Sequence, residues 1–187
     1  MSETMNIELE AEKLIEFAFA AVTPGMEQQL FSEYFPQVGP IIGEYGGSPI
    51  VSFTVSESES SLGSPNLSAF FYWPNVERYD EFHQDERFLS MKHLRDEALD
   101  LFSNGHFYQI ETTTQVTFKE NKEYALVVMS NENETVAASA LAVFKPMKAN
   151  QSGSAYLMLC DDKALSTDAV KSKSADVYKL VVNFPKK

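Results

Sequence analysis

The order in which hydrophobic periodicity changes along the chain is the feature that most limits its fold. Leu14 to Val22 is a short apolar run with Ile15, Phe17 and Phe19 on one alternating face, which reads as a buried strand. After Thr23-Pro24-Gly25 the spacing switches. Met26, Leu30, Phe31, Tyr34, Phe35, Val38, Ile41, Ile42 and Tyr45 recur at three and four, the stripe of an amphipathic helix, with Thr23 expected as its N-cap and Pro24 in its first turn. Pro36, Gly39 and Pro40 are expected to kink or divide that helix, and Gly46-Gly47 to cap it. Strand character returns at Ser48–Val55, gives way to a polar loop at Ser56–Asn66, and returns in Leu67–Trp73, which Pro74 stops. A second helical pattern runs from Val76 to Leu101 and is closed by Asn104-Gly105. His106–Phe118 then alternates as one long strand.

That order is β-α-β-β-α-β, the ferredoxin-like split βαβ arrangement, with both helices on one face of the sheet. Residues 119–187 suggest a worn second copy. A displacement of 106 residues sets Val22 on Val128, Pro40 on Pro146, Gly47 on Gly153 and Ser48 on Ser154. Strands are expected at Tyr124–Met129, Ser154–Cys160 and Asp176–Phe184, with a helix over Glu134–Lys148. The expected fold class is therefore α+β: an acidic segment (1–13), a ferredoxin-like domain (14–118) and a degenerate βαββ half repeat (119–187). The open sheet face needs a cover, either a second chain in a homodimer or residues 119–187 as a pseudo-partner within the chain.

Charge narrows the function classes. Residues 1–118 carry 5 basic and 19 acidic side chains, and residues 119–187 carry 10 and 8, for a net −12. Such a chain repels phosphate backbones and anionic lipid, so neither nucleic acid nor membrane is expected as a partner. The longest apolar run, Phe17–Val22, is far below the ~20 residues of a bilayer span, and the acidic start is unlike a secretory signal, so a cytoplasmic location is expected. Cys160 is the single cysteine, which excludes an internal disulfide and a Cys-based metal cage.

The pattern Tyr34-(x3)-Val38-x-Pro40-x-Ile42-x-Glu44-Tyr45-Gly46-Gly47 resembles the helix end of a bacterial family known as domain of unknown function thirteen-thirty. In that family a strand ending Phe-Pro-Ser leads into a helix with Trp, an aromatic six residues on and Arg seven further; here the same spacing gives Trp73-Pro74-Asn75, Phe82, Phe88 and Arg95. Phe82 replaces the usual Trp, and the Ser/Glu loop at 56–66 is atypical. The resemblance spans residues 14–118 and implies a dimeric α+β barrel of two four-stranded sheets, with no established reaction. The wider superfamily includes antibiotic-biosynthesis monooxygenases, which need no separate oxygen-activating cofactor, and haem-degrading enzymes. The haem branch fits poorly, because its iron-ligating His falls on Lys92 and His93 points about 100° away along a helix.

Chemistry-bearing constellations are sparse. His83 and His93 are too far apart on a helix for one metal ion, no nucleotide-binding glycine motif occurs, and neither metal nor cofactor is expected. The residue types that suit a small-molecule pocket are Tyr34, Trp73, Phe82, Phe88 and Arg95, with His83 and His106 as candidate proton carriers. Arg95 lies between Leu94 and Ala98, so it is expected to pair with an acidic neighbour or reach a ligand. Two functions follow: a small-molecule-binding or structural module, or a cofactor-independent oxygenase or isomerase in which a histidine and Arg95 converge on one cavity.

Overall fold

The computed structural model describes residues 3–103, 106–147, 153–160 and 175–184. In chain order its elements are β1 (Thr4–Leu9), β2 (Leu14–Val22), a π-helical turn (Gln29–Tyr34) running into α1 (Phe35–Glu44), β3 (Ser48–Glu59), β4 (Leu67–Trp73), α2 (Val76–Gln84), α3 (Glu86–Ala98), β5 (Leu99–Ser103), β6 (Phe107–Gln109), β7 (Thr114–Lys119), β8 (Glu123–Met129), α4 (Glu134–Ser139), β9 (Ala142–Pro146), β10 (Ser154–Leu159) and β11 (Ala175–Val182).

The expectation of an open ferredoxin-like sheet followed by a half repeat is overturned. Eight antiparallel strands close into one barrel in the order β2-β4-β3-β11-β8-β10-β9-β6 and back to β2, so the protein is mostly sheet. Two seams join the halves of the chain. At one, β11 lies between β3 and β8, with Val182 opposite Phe53 and Tyr178 opposite both Ser58 and Leu126; at the other, Tyr108 of β6 faces Pro146 of β9. Closure has a direct cause in the alternation of apolar residues. Ile15, Phe17, Phe19, Phe53 and Phe70 from one half would face water on an open sheet, and inside the barrel they meet Leu126, Phe144, Leu157, Tyr178 and Leu180 from the other. Phe17 is central, stacked on Phe70 at 4.2 Å and on Tyr108 at 4.3 Å, with the Phe144 edge at 4.9 Å.

Residues 119–187 thus supply four barrel strands rather than a βαββ fragment. The expected helix at Glu134–Lys148 is only α4, followed by the strand β9. The 106-residue displacement sets Pro40 of a helix on Pro146 of a strand, so that alignment does not follow the fold.

Other departures have local causes. Thr23 does not cap a helix. Its carbonyl accepts the Met26 N–H at 3.0 Å across Pro24-Gly25, with Gly25 at φ +86°, which makes a type II turn. The π-helical turn, in which the Phe35 N–H bonds the Leu30 carbonyl, ends just before Pro36, which has no N–H to continue that ladder. Polar Ser56–Glu59 extends β3, because its neighbour in the seam is β11 and Lys179 there pairs with Glu57. The second helical pattern breaks at Asp85, and Leu101 belongs to strand β5; its closure at Asn104-Gly105 lies outside the described residues. His106–Phe118 is two strands in different sheets. The acidic N-terminus forms β1, which pairs with β7, and Leu9, Val116 and Phe118 join the barrel core.

The outer faces of the barrel are covered separately. α4 packs Val136 over Ala125, Val127 and Tyr156, whereas α1, α2 and α3 lie over β2 and β4. No helix among the described residues is long and apolar enough to cross a membrane.

Candidate functional site

Alternation along β2 sends Ile15, Phe17 and Phe19 into the barrel and Leu14, Glu16 and Ala20 outward, under the helices. Glu16 is only 7% exposed, a carboxylate in an aromatic layer. Burying such a group is costly unless it is hydrogen-bonded, and here it is. Trp73 Nε1, from the last residue of β4, donates to Glu16 Oε2 at 2.8 Å. The Tyr79 hydroxyl, one turn into α2, also bonds Glu16. Burial raises the Tyr79 pKa, and the Glu16 charge raises it further, so Tyr79 keeps its proton and donates.

Tyr34, Trp73, Phe82, Phe88 and Arg95 meet in this layer. Trp73 packs edge-on to Tyr79 at 5.2 Å and against Phe82 at 5.5 Å, and Phe82 lies 4.5 Å from Phe88. Arg95 sits over the Phe88 ring at 5.3 Å, pairs with Asp96 at 2.6 Å and reaches the Tyr34 hydroxyl, whose pKa burial pushes up to about 12 while Arg95 pulls it back. Gly47, after α1, has a structural reason here. A Cβ on it would lie 2.9 Å from the Trp73 ring and 2.6 Å from Ile42.

The two histidine candidates part company. His83 belongs to the layer: its ring is 4.2 Å from Tyr79 and 5.2 Å from Phe88, and its Nδ1 bonds the Tyr79 carbonyl at 2.9 Å. His106 is on the other side of the sheet, in a cavity at the barrel lined also by Phe17, Phe19, Tyr108, Asp176 and Tyr178. That cavity encloses about 10 Å³, room for roughly one water and no organic substrate, so His106 and Arg95 serve no common site. His93 is exposed on α3. Among the described residues no three His, Cys, Asp or Glu side chains gather as a metal site.

Burial, reinforced by the nearby Arg95 charge, lowers the His83 pKa below its ordinary 6.5. A lowered folded-state value means that the unfolded chain binds the proton first. The stability this neutral ring contributes is therefore complete above about pH 6.5 and is lost as pH falls below it. Thermal unfolding midpoints should drop between pH 7 and pH 5 more in the wild type than in His83→Phe; equal slopes would remove His83 from the account.

Sequence reasoning missed Glu16 and Tyr79. The available signal was a single Glu interrupting the apolar run Leu14–Val22, since a charge in a strand covered on both faces must have a partner.

No family model matches the chain, and no curated protein does. Among solved structures, an "anthrone oxidase-like protein" superposes with a TM-score of 0.55 at 12% identity, covering 96% of this chain and 95% of that one. A "putative monooxygenase" from Lactobacillus acidophilus gives a TM-score of 0.38 at 11% identity over 91% and 94% of the two chains. The first likeness is one of fold. At that identity it carries the barrel architecture across nearly the whole length of both chains, and nothing about residues.

Proposed function

We propose that the chain binds a small aromatic compound between the helix layer and β2–β4 and takes a proton from it with Glu16. The observation that carries this reading is the buried Glu16 carboxylate, held by Trp73 and by Tyr79, whose hydroxyl also feels the Arg95 charge. A carboxylate is rarely buried unless it is partnered, and buried titratable groups among specific partners recur at functional sites. Glu16, oriented by Trp73 and Tyr79, can accept a proton from a weakly acidic C–H or O–H, while the Arg95 charge stabilises the anion left behind. A substrate activated in this way can react with dioxygen without a metal or an organic cofactor. The anthrone oxidase-like fold neighbour makes anthrone a rational first compound. Base removes the benzylic proton, the carbanion's electrons pass to O₂ as a C–O bond forms, and the resulting peroxide loses water to leave the quinone.

Trp73, the single tryptophan, makes the site its own reporter. Anthrone should quench Trp73 fluorescence and be consumed with one O₂ per molecule. Glu16→Gln should keep the quenching and lower turnover about 10²–10⁴-fold, the range of a lost general base. O₂ uptake no faster than the spontaneous rate, with unchanged Trp73 fluorescence, would end the reading.

A second reading rests on the hydrogen bonds that Trp73 and Tyr79 make to Glu16, through which the carboxylate also ties α2 to the sheet. On that reading the chain is a binding module: anthrone quenches Trp73, no O₂ is taken up, and Glu16→Gln changes stability alone.

A further inference from the structure

The helices over the Trp73–Glu16 site are tied shut at one corner by an ionic fork. α2 and α3 join through Asp85 alone, in extended conformation at φ −62° and ψ 127°. At its far end α3 is anchored by backbone, with the Ala98 carbonyl accepting from Thr23 N–H at 2.9 Å, and Gln29 Nε2 donates to the Leu94 carbonyl at 3.0 Å. The Asp85 corner has no comparable backbone tie among the described residues. Its cross-links are polar side chains aimed at the C-terminal end of α1. Arg87 grips Glu44 with both ends of its guanidinium, at 3.1 and 2.7 Å, and Asp85 at 2.8 Å. The Tyr45 hydroxyl donates to Asp85 at 2.9 Å. Arg78 lies over the Tyr45 ring at 4.8 Å and donates to the Glu44 carbonyl at 3.0 Å.

Directly beneath this corner, the Tyr45 ring meets Phe82, and Phe82 meets Trp73. The corner therefore stands between solvent and the buried aromatic layer. Arg87 and Glu44 are each more than half exposed, so salt screens their attraction and the tie holds without locking. An aromatic ligand approaching Trp73 from this corner has to displace rings that the corner holds down.

We propose that Arg87, with Glu44 and Asp85, latches the α2–α3 corner onto α1 and gates access to the Trp73–Glu16 site. The latch itself is a property of the free protein; its role as a gate for ligand rests on the reading given under Proposed function. Acrylamide quenching of Trp73 fluorescence in the unliganded protein measures the latch directly. Arg87→Met should raise the quenching constant at least twofold at unchanged far-ultraviolet circular dichroism. Glu44→Gln should raise it in the same direction. Higher sodium chloride should raise quenching in the wild type and not in Arg87→Met. Lys179→Met, which removes an ion pair on the barrel seam, serves as the control that leaves quenching unchanged. Quenching in Arg87→Met and Glu44→Gln equal to wild type would overturn the latch, whatever anthrone does. With the latch present, anthrone should quench Trp73 faster in Arg87→Met than in the wild type under stopped flow; equal rates would overturn the gate. A wild type that anthrone never quenches would instead strike the Proposed function.

Discussion

Phe17→Ala should lower the stability of the whole barrel by about 3–5 kcal/mol, at the upper end for removal of a buried ring. Phe17 is 2% exposed and touches rings from β4, β6 and β9, so its loss empties a space bounded by both halves of the chain. A closed barrel has no free edge onto which the remaining strands can collapse, and the cavity is retained. Urea unfolding should show one transition with a reduced midpoint, coincident in circular dichroism and in Trp73 fluorescence, although the Trp73 side chain faces the helix layer rather than the barrel interior. Phe31→Ala is the comparison, since Phe31 is 53% exposed and its removal should stay within about 0.5 kcal/mol. Separate transitions for the two probes would mean that the helix layer and the barrel do not fold as one unit.

Gly153→Ala should cost about 3 kcal/mol or more, for a reason of space rather than conformation. A Cβ at Gly153 would lie 1.8 Å from the Met129 carbonyl oxygen and 2.7 Å from its carbon. Those atoms are backbone of β8, already paired through Met129 with Ser154, so relief requires the start of β10 to slide away from its neighbour. Overpacking of side chains usually costs about 1–3 kcal/mol, and backbone yields less readily than a side chain. Gly39→Ala should behave in the opposite way, because nothing lies within 4 Å of a Cβ there and the residue is inside α1. A gain of about 0.5–1 kcal/mol is expected from the stiffer unfolded chain. Equal midpoints for the two variants in thermal unfolding would contradict the packing argument at Gly153.

Where periodicity was enforced by burial on one side, it could be read from the chain. The switch at Thr23–Gly25, the stripe from Leu30 to Ile41 and the Gly46-Gly47 stop belong to a helix whose apolar face meets one partner, and the short strand ending at Trp73 is an apolar run buried on both faces. The misread elements are those whose surroundings arrive from far along the chain. Ser56–Glu59 looks like a loop because its strand partners are residues 177–179. His106–Phe118 alternates without interruption, yet Phe107–Gln109 joins the barrel and Thr114–Lys119 pairs with β1, and alternation alone carries no mark of a change of sheet. That Tyr34, Trp73, Phe82, Phe88 and Arg95 gather was legible, and they share one aromatic layer. Glu16, on which the proposed function rests, was not, because it was absorbed into an apolar run instead of being treated as the exception within it.

The position of β11 has a consequence for how the protein comes into being. It fills the gap between β3 and β8, and pairs such as Val177 with Glu59 span well over a hundred residues. A nascent polypeptide emerging from the ribosome therefore carries unpaired edges on β3 and β8 until residues 175–182 have left the tunnel. Large loop-closure entropy at that last step makes assembly slow compared with helical bundles. The interval before it is when self-association competes with maturation, and it is there that a chaperone would act.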